Sequence, residues 1–408
     1  MRTQTENAAR VVVIGAGMAG ARLAARVPGV TVIGEETHAP YNRVLLAEVL
    51  AGRYAAEVIT LPPAEVRRGV RAVRIDRADR LVHCDDGSAV GYERLVLATG
   101  SNPVLPPLRG LGTTMPDGVH AFRTLDDCLA LREAVRQHTG TGVRAVVIGG
   151  GLLGVSAARA LAECGAQVVL AQQGEHLMER QLDAGAAGLL RRHLESLGVE
   201  VHTECRVRGL RCADGTVRAV ELADGYELAA EITVLACGVR PRTGLARAAG
   251  LDVRTGVVVD DELRTSDPYI HAVGDCAEHR GTLYGLAGPA LEQADVLAEV
   301  LAGRLARYDG TRALTRLTLR GPPADPAGVL DLAAFGDSRP LPGDDVVRLA
   351  DATRGAYRAV VVRGDRLAGG VLLGDLAAVG TLARTWEDDE PLPAETSLLH
   401  LLTNDGGF

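Results

Sequence analysis

Two glycine-rich turns of the same kind most constrain how this chain can fold. Each follows an apolar run and precedes a helical pattern. The first reads Val-Val-Val-Ile-Gly-Ala-Gly-Met-Ala-Gly over 11–20, and the second reads Ala-Val-Val-Ile-Gly-Gly-Gly-Leu-Leu-Gly over 145–154. In a G-x-G-x-x-G turn the first glycine permits the tight turn, the second lets the backbone approach a pyrophosphate, and the third lets the helix pack on the strand. The repeat predicts two nucleotide-binding units in one chain.

In the first turn these roles fall to Gly15, Gly17 and Gly20. The helix that follows offers unpaired N–H groups and a partial positive charge to phosphates. A second strand then leads to Glu35, 20 residues after Gly15, where an acid that binds ribose hydroxyls is expected. Arg43 suits phosphate oxygens because of its guanidinium fork, although a solvated surface arginine is the alternative interpretation.

In the second turn the same three roles fall to Gly149, Gly151 and Gly154. Two accidental matches, each between a strand and a helix, are improbable. Two dinucleotides in one protein indicate that electrons pass between them, most simply from a nicotinamide to a flavin.

Composition excludes several other classes of function. The pI near 5.7 and the net charge of -8 argue against nucleic acid or an anionic membrane as a partner. We expect a cytoplasmic protein, because no segment resembles a signal peptide or a membrane span. The 44 basic residues are all arginine, which excludes lysine chemistry, including Schiff-base catalysis. The seven cysteines lack the spacing of a metal site, so we expect no bound metal.

Other turns repeat or complete the pattern. The strand that ends at Ala98-Thr99-Gly100 has a second copy ending at Ala236-Cys237-Gly238. Another apolar strand delivers Asp275, and Gly288-Pro289 precedes a helix predicted from Ala290 to Leu301. If that helix points its N-terminus at a flavin, its dipole would stabilise the reduced ring. Beyond a predicted linker over 303–311, the remaining chain predicts four strands and a helix.

Together these motifs resemble the FAD-dependent pyridine nucleotide-disulfide oxidoreductase class. Within it, the chain is most similar to the flavoprotein, N-terminal part of NAD(P)H-dependent assimilatory nitrite reductase large subunits and to related ferredoxin and rubredoxin reductase-like proteins. Three stretches carry this likeness: Gly149–Gly154, Leu177-Met-Glu-Arg-Gln-Leu-Asp183 and Leu367-Ala-Gly-Gly-Val-Leu-Leu-Gly-Asp375. The iron-sulfur and sirohaem parts of those subunits have no counterpart here, so the resemblance implies that electrons would go to a separate protein.

The resemblance implies an α/β fold with two dinucleotide-binding, Rossmann-like domains, the second inserted in the first, and a small C-terminal α+β domain. The FAD-binding domain would comprise 8–114 and 241–310, the NAD(P)H-binding domain 115–240, and a C-terminal interface domain 311–408. The residues expected to contact FAD are Gly15, Gly17, Ala19, Gly20, Glu35, Arg43, Ala72, Thr99, Gly100, Arg123, Asp275 and Gly288. Those expected around the nicotinamide nucleotide are Gly149, Gly151, Gly154, Gln172 and Gly238.

Departures from the family pattern limit the reactions that this chain is expected to catalyse. Relatives that reduce disulfides carry a cysteine pair beside the first helix, or a single cysteine near Ala47, and neither is present. No side chain is therefore expected to be catalytic beyond the flavin. The lysine and glutamate that ferredoxin reductases place near the flavin correspond to Glu48 and Ser156. Gln172 stands where NADH enzymes carry an acid, so we expect weak selectivity between NADH and NADPH.

These observations favour an FAD-dependent NAD(P)H oxidoreductase that passes electrons to a small redox protein or a partner reductase or oxygenase, with nitrite or nitrate assimilation as one expected role. One alternative is a flavin oxidase or monooxygenase-like enzyme that acts on oxygen or a small substrate. Another is a flavin-binding partner subunit whose nicotinamide site is degenerate. A homodimer is compatible with each of them.

Overall fold

A computed structural model describes residues 10–62, 65–138, 142–321, 328–351, 353–393 and 398–403. Its strands, in chain order, are β1 (Val11–Ile14), β2 (Thr31–Gly34), β3 (Val66–Arg68), β4 (Ala72–Asp76), β5 (Leu81–Cys84), β6 (Ala89–Gly91), β7 (Arg94–Leu97), β8 (Ser101–Pro103), β9 (Val119–Ala121), β10 (Arg144–Ile148), β11 (Gln167–Ala171), β12 (Val199–His202), β13 (Val207–Ala213), β14 (Thr216–Leu222), β15 (Glu227–Ala229), β16 (Ile232–Leu235), β17 (Val239–Pro241), β18 (Val257–Val259), β19 (Ile270–Ala272), β20 (Ala277–His279), β21 (Leu314–Arg320), β22 (Val329–Gly336), β23 (Asp345–Asp351), β24 (Ala356–Arg363) and β25 (Arg366–Leu373). The α-helices are α1 (Met18–Arg26), α2 (Leu46–Leu50), α3 (Leu125–Gln137), α4 (Leu152–Glu163), α5 (Ala184–Ser196), α6 (Gly244–Ala248), α7 (Ala287–Leu301) and α8 (Val379–Glu387).

The first of two compact units, unit 1, consists of residues 10–46, 54–102 and 239–311. Its main sheet is parallel, in the order β19-β7-β1-β2-β3, and α1 packs against α7. Every residue of β1 is buried, as expected for a central strand of a parallel sheet that is covered on both faces. A small antiparallel sheet, β4-β5-β6, belongs to the same unit.

Unit 2 consists of residues 47–53, 103–238 and 312–403. It contains a second parallel sheet, in the order β12-β11-β10-β16-β9, with a three-stranded antiparallel sheet formed by β13, β14 and β15. Its C-terminal part is an antiparallel sheet in the order β21-β22-β25-β24-β23. Helix α8 covers that sheet, and Trp386 of the helix lies 5.4 Å from Phe335 between ring centroids.

The structure confirms the predicted fold class. Two parallel Rossmann-like sheets are present, the segment that carries the second lies between segments of the first, and a C-terminal sheet with one α-helix follows. The domain boundaries at 114, 240 and 310 stay a prediction. Four strands of the C-terminal part were predicted, whereas β23 was missed. Helix α7 begins at Ala287 and not at Ala290 as predicted, so Pro289 is the third residue of the helix.

Candidate functional site

The first glycine-rich turn has the geometry that its sequence predicts. Gly15 has φ +114°, and a Cβ at this position would overlap the carbonyl oxygen of Ala98. A Cβ at Gly20 would overlap the carbonyl oxygen of Gly15, so the third glycine lets α1 approach the turn. Gly17 is the N-cap of α1 in an extended conformation. The N-terminus of α1 is therefore presented directly after β1, where it can receive a phosphate.

The second turn repeats this geometry at the end of β10. Gly149 has φ +110°, and a Cβ there would overlap the carbonyl oxygen of Ala236. A Cβ at Gly154 would overlap the carbonyl oxygen of Gly149. Gly151 is the extended N-cap of α4, and a Cβ built on it meets no atom within 4 Å. The space beside Gly151 at this helix N-terminus is therefore open.

Charged side chains surround the first turn. Glu35, directly after β2, forms an ion pair with Arg242 at 2.9 Å. Arg43 pairs with Glu36, and its guanidinium lies 5.0 Å from the centroid of the Tyr41 ring. The Nε of Arg43 is 3.9 Å from a Cβ built on Gly17. Arg43 is thus close enough to the turn to meet a phosphate bound there.

The carboxyl ends of β7 and β19 bring further predicted residues to the same edge of the unit 1 sheet. Thr99 donates its hydroxyl hydrogen to the Arg242 carbonyl at 2.8 Å, and Gly100 has φ +70°. Asp275 follows β19 and accepts the Ser101 hydroxyl at 2.8 Å. Three other residues predicted to contact FAD also lie in unit 1: Ala19 in the first turn of α1, Ala72 at the start of β4 and Gly288 in the first turn of α7.

Gln172 lies directly after β11, and its side chain reaches the second turn. Its Oε1 accepts the backbone N–H of Gly150 at 2.8 Å. Because that backbone group can only donate, the amide oxygen is the atom that faces the turn, and the NH₂ group is left to bond elsewhere. Gly238, at φ +97°, follows β16 in the same unit. Arg123 is also in unit 2, just before α3, and its contact with FAD stays a prediction.

Glu48 and Ser156 are the residues expected at the positions of the ferredoxin reductase lysine and glutamate, and that correspondence stays a prediction. The Ser156 hydroxyl donates to the Leu152 carbonyl at 2.8 Å, so it is used inside α4. Glu48 instead forms an ion pair with Arg159, which is 2% exposed and also binds Glu163 at 2.9 Å. No local sequence pattern predicts this pair, because Glu48 and Arg159 are 111 residues apart.

Other kinds of site find no support in the part of the chain that the structure describes. Its His, Cys, Asp and Glu side chains form no group of three or more that could hold a metal ion. None of its helices combines the length and apolar character needed to cross a membrane. All seven cysteines are free thiols, and burial raises the pKa of Cys128 to about 12. A thiol of this kind is a poor nucleophile at neutral pH.

The residues present fit two dinucleotides. At the first turn, the glycine cradle, the N-terminus of α1, the Arg43 guanidinium and the Glu35 carboxylate match a pyrophosphate and a ribose. At the second turn, the open N-terminus of α4 and the NH₂ group of Gln172 match a second pyrophosphate and the acceptor atoms of a second ribose or its phosphate.

Comparisons with known proteins place this geometry in a family. The family model described as pyridine nucleotide-disulphide oxidoreductase matches residues 9–294. The nitrite reductase [NAD(P)H] of Bacillus subtilis is 34% identical over 96% of this chain and 49% of that protein. The assimilatory nitrate reductase electron transfer subunit of the same species is 34% identical over 90% of this chain and 48% of that protein. The chain thus spans about half the length of these curated relatives.

Solved structures agree with this placement. The putidaredoxin reductase–putidaredoxin complex superposes with a TM-score of 0.82 at 25% identity, over 97% of this chain and 98% of that chain. A ferredoxin reductase from Rhodopseudomonas palustris gives the same TM-score at 27% identity, over 94% and 95% of the two chains. The chain belongs to the pyridine nucleotide-disulphide oxidoreductase family of enzymes.

Proposed function

We propose that the chain is an FAD-dependent NAD(P)H oxidoreductase that passes electrons from a nicotinamide, through the flavin, to a redox protein partner. The observation that carries this proposal is the duplicated turn geometry. Gly15 and Gly149 have φ values of +114° and +110°, and Gly20 and Gly154 each lie against the carbonyl of the first glycine in their own turn. A bound flavin supplies the chemistry, since it accepts a hydride and releases single electrons.

The residues of the chain have binding and positioning roles. The N-termini of α1 and α4 hold the two pyrophosphates, and Arg43 adds charge at the first. Glu35 accepts hydrogen bonds from the ribose of the FAD. Asp275 does the same for hydroxyl groups of the flavin side chain, and Ser101 holds its carboxylate in place by a 2.8 Å hydrogen bond. No side chain has to act as an acid, a base or a nucleophile.

The likeness to the B. subtilis nitrate and nitrite reductase components supports a role in nitrogen assimilation. The likeness to a reductase solved with putidaredoxin supports a small redox protein as the electron acceptor. In this proposal the chain takes electrons from the nicotinamide and delivers them to a separate protein partner.

The test is an anaerobic stopped-flow titration of the flavin-loaded protein with NADH and with NADPH. We expect either nicotinamide to bleach the oxidised-flavin absorbance rapidly, followed by reoxidation when ferredoxin or rubredoxin is added. Bound FAD that neither nicotinamide bleaches would refute the proposal and favour a partner subunit with a degenerate site. Steady NAD(P)H consumption in air, without transfer to either redox protein, would favour the oxidase interpretation instead.

A further inference from the structure

The segment 172–183, here called the β11–α5 loop, forms hydrogen bonds with both the N–H and the carbonyl of Gly150 in the second glycine-rich turn. Gly150 donates its N–H to the Gln172 side chain at 2.8 Å and accepts the N–H of Met178 at 2.9 Å. A Cβ at Gly150 would lie 2.6 Å from the Leu177 side chain, so the loop packs directly on the turn. The loop and the turn are therefore in direct contact through hydrogen bonds and packing.

The loop contains a disfavoured backbone conformation at its point of contact. Met178 is 2% exposed and has φ +51°, a left-handed value that is uncommon for a long side chain. Its carbonyl accepts the N–H groups of Gln181 and Leu182 at 2.8 and 2.9 Å. A conformation of this kind persists only when its surroundings hold it. The contacts on the far side of the loop are therefore relevant to the turn.

Those contacts come from the C-terminal sheet. Tyr357 of β24 donates its hydroxyl hydrogen to Asp183 Oδ2 at 2.6 Å, and Arg348 of β23 lies 3.5 Å from the same oxygen. Arg339, between β22 and β23, donates to the backbone carbonyl of Glu179 at 2.6 Å. The loop thus lies between the glycine-rich turn and the C-terminal sheet, with polar contacts to both.

Asp183 is fixed at both of its carboxylate oxygens. Oδ1 accepts the N–H of Ala186 and caps α5, while Oδ2 accepts the Tyr357 hydroxyl. A Cβ at Gly185 would lie 2.9 Å from the Tyr357 ring, so that ring also packs on the first turn of α5. Burial, together with the hydrogen bond to Asp183, raises the pKa of Tyr357 above its usual value, so the hydroxyl remains a donor.

We propose that Tyr357 and Asp183 are positioning residues for the nicotinamide nucleotide, through which the C-terminal sheet holds the second glycine-rich turn in its binding conformation. This inference rests on the proposed function, because it requires that turn to bind a nicotinamide nucleotide. The C-terminal sheet is then a supporting part of the nucleotide site.

The test measures nucleotide binding by titration calorimetry on the flavin-loaded protein, with NAD⁺ and NADP⁺, which bind without reducing the flavin. In Tyr357→Phe we expect the Kd of the preferred nucleotide to rise about five- to tenfold, with flavin content unchanged. Asp183→Asn, which keeps a good helix cap but removes the carboxylate, should act in the same direction. The matched control is Tyr308→Phe in unit 1. It removes an equally buried hydroxyl, bonded to Thr311 at 2.7 Å, and should leave Kd unchanged.

A Kd that stays within about twofold of wild type in both Tyr357→Phe and Asp183→Asn would overturn the inference, even if both variants melt earlier. If Tyr357→Phe does not fold, Asp183→Asn alone decides. A wild-type protein that binds FAD but neither nucleotide would overturn the proposed function, and this inference with it. If the wild-type protein binds a nucleotide and the two variants bind it equally well, only the inference is overturned and the proposed function stands.

Discussion

The side-chain oxygen of Gln172 and the backbone N–H of Gly150 form a 2.8 Å hydrogen bond, which fixes the end of the Gln172 amide that faces away from the turn. The group that faces away from the turn is the NH₂ of the Gln172 amide, which donates hydrogen bonds. A donor at this position can serve the oxygens of a 2'-phosphate as well as those of a ribose hydroxyl, whereas a carboxylate would accept from two hydroxyls and repel a phosphate.

Gln172→Glu should therefore shift the preference toward NADH. We expect the ratio of kcat/KM for NADH to kcat/KM for NADPH to rise roughly tenfold, because the new carboxylate repels the 2'-phosphate. Gln173→Glu, one residue further along the chain, introduces the same charge and serves as the control. A ratio that is unchanged in Gln172→Glu, or that moves equally in both variants, would contradict this role for Gln172.

Substituting the third glycine of each turn should affect the binding of one cofactor without affecting the other. Any Cβ at Gly154 overlaps the carbonyl of Gly149, and any Cβ at Gly20 overlaps that of Gly15. Gly154→Ala should purify with a full complement of flavin but lose at least about tenfold in affinity for NAD⁺ and NADP⁺. Gly20→Ala should purify largely without flavin. Each variant is the control for the other, with flavin absorbance and calorimetry as the measurements, and identical behaviour of the two would argue against separate sites.

His271 should make the stability of unit 1 depend on pH. It is 2% exposed in β19, and burial, with smaller effects from Arg264 and Arg94, lowers its pKa to about 4 from 6.5. Above pH 6.5 both the folded and the unfolded states are neutral at this residue. As pH falls from 6.5 to 4 only the unfolded state takes up the proton, so the free energy of unfolding decreases by about 3 kcal/mol.

Urea unfolding between pH 4.5 and 8 measures this loss. His271→Gln should differ from wild type by a constant amount above pH 7, and its own loss of stability below pH 6.5 should be clearly smaller. Parallel curves for the two proteins over the whole range would show that another group is responsible.

Glu48→Gln should destabilise unit 2, because it removes the charge opposite the buried guanidinium of Arg159. We expect a loss of about 2–3 kcal/mol in the free energy of unfolding, since Glu163 remains as a partner. Glu195→Gln breaks the exposed pair of Arg191 and Glu195 on α5 and should cost less than about 1 kcal/mol. Chemical denaturation of both variants measures the difference, and equal losses would show that burial of Arg159 adds nothing to the pair.

Much of the fold could be predicted because its signals are local. The glycines of both turns lie within ten residues of their strands and helices, and continuous apolar runs form all of β1 and residues 145–148 of β10. In contrast, β23 carries Asp345, Arg348 and Asp351 and, within the described ranges, pairs only with β24 at the edge of its sheet. An edge strand has little apolar surface to bury, so its sequence lacks the pattern that identified its neighbours.

The supporting contacts of the candidate site could not be predicted. Glu48 and Arg159 are 111 residues apart, and Asp183 and Tyr357 are 174 apart. A polar pair of this kind depends on where whole elements pack, whereas the roles of Gly17 and Gly151 depend only on their own turns. The sequence also does not predict which atom of the Gln172 amide faces a ligand. The backbone N–H of Gly150 orients that amide, and Gly150 is 22 residues away in the chain.

If Glu35 binds the ribose of FAD as proposed, its ion pair with Arg242 makes that position sensitive to ionic strength. Glu35 is half exposed and Arg242 about one-third exposed, so dissolved salt screens their attraction. At low salt, Arg242 competes with an entering sugar for the same carboxylate, and at moderate salt that competition weakens. The Glu35 carboxylate of the flavin-free protein would then be more accessible to a ribose in a salt-containing buffer than in one of very low conductivity.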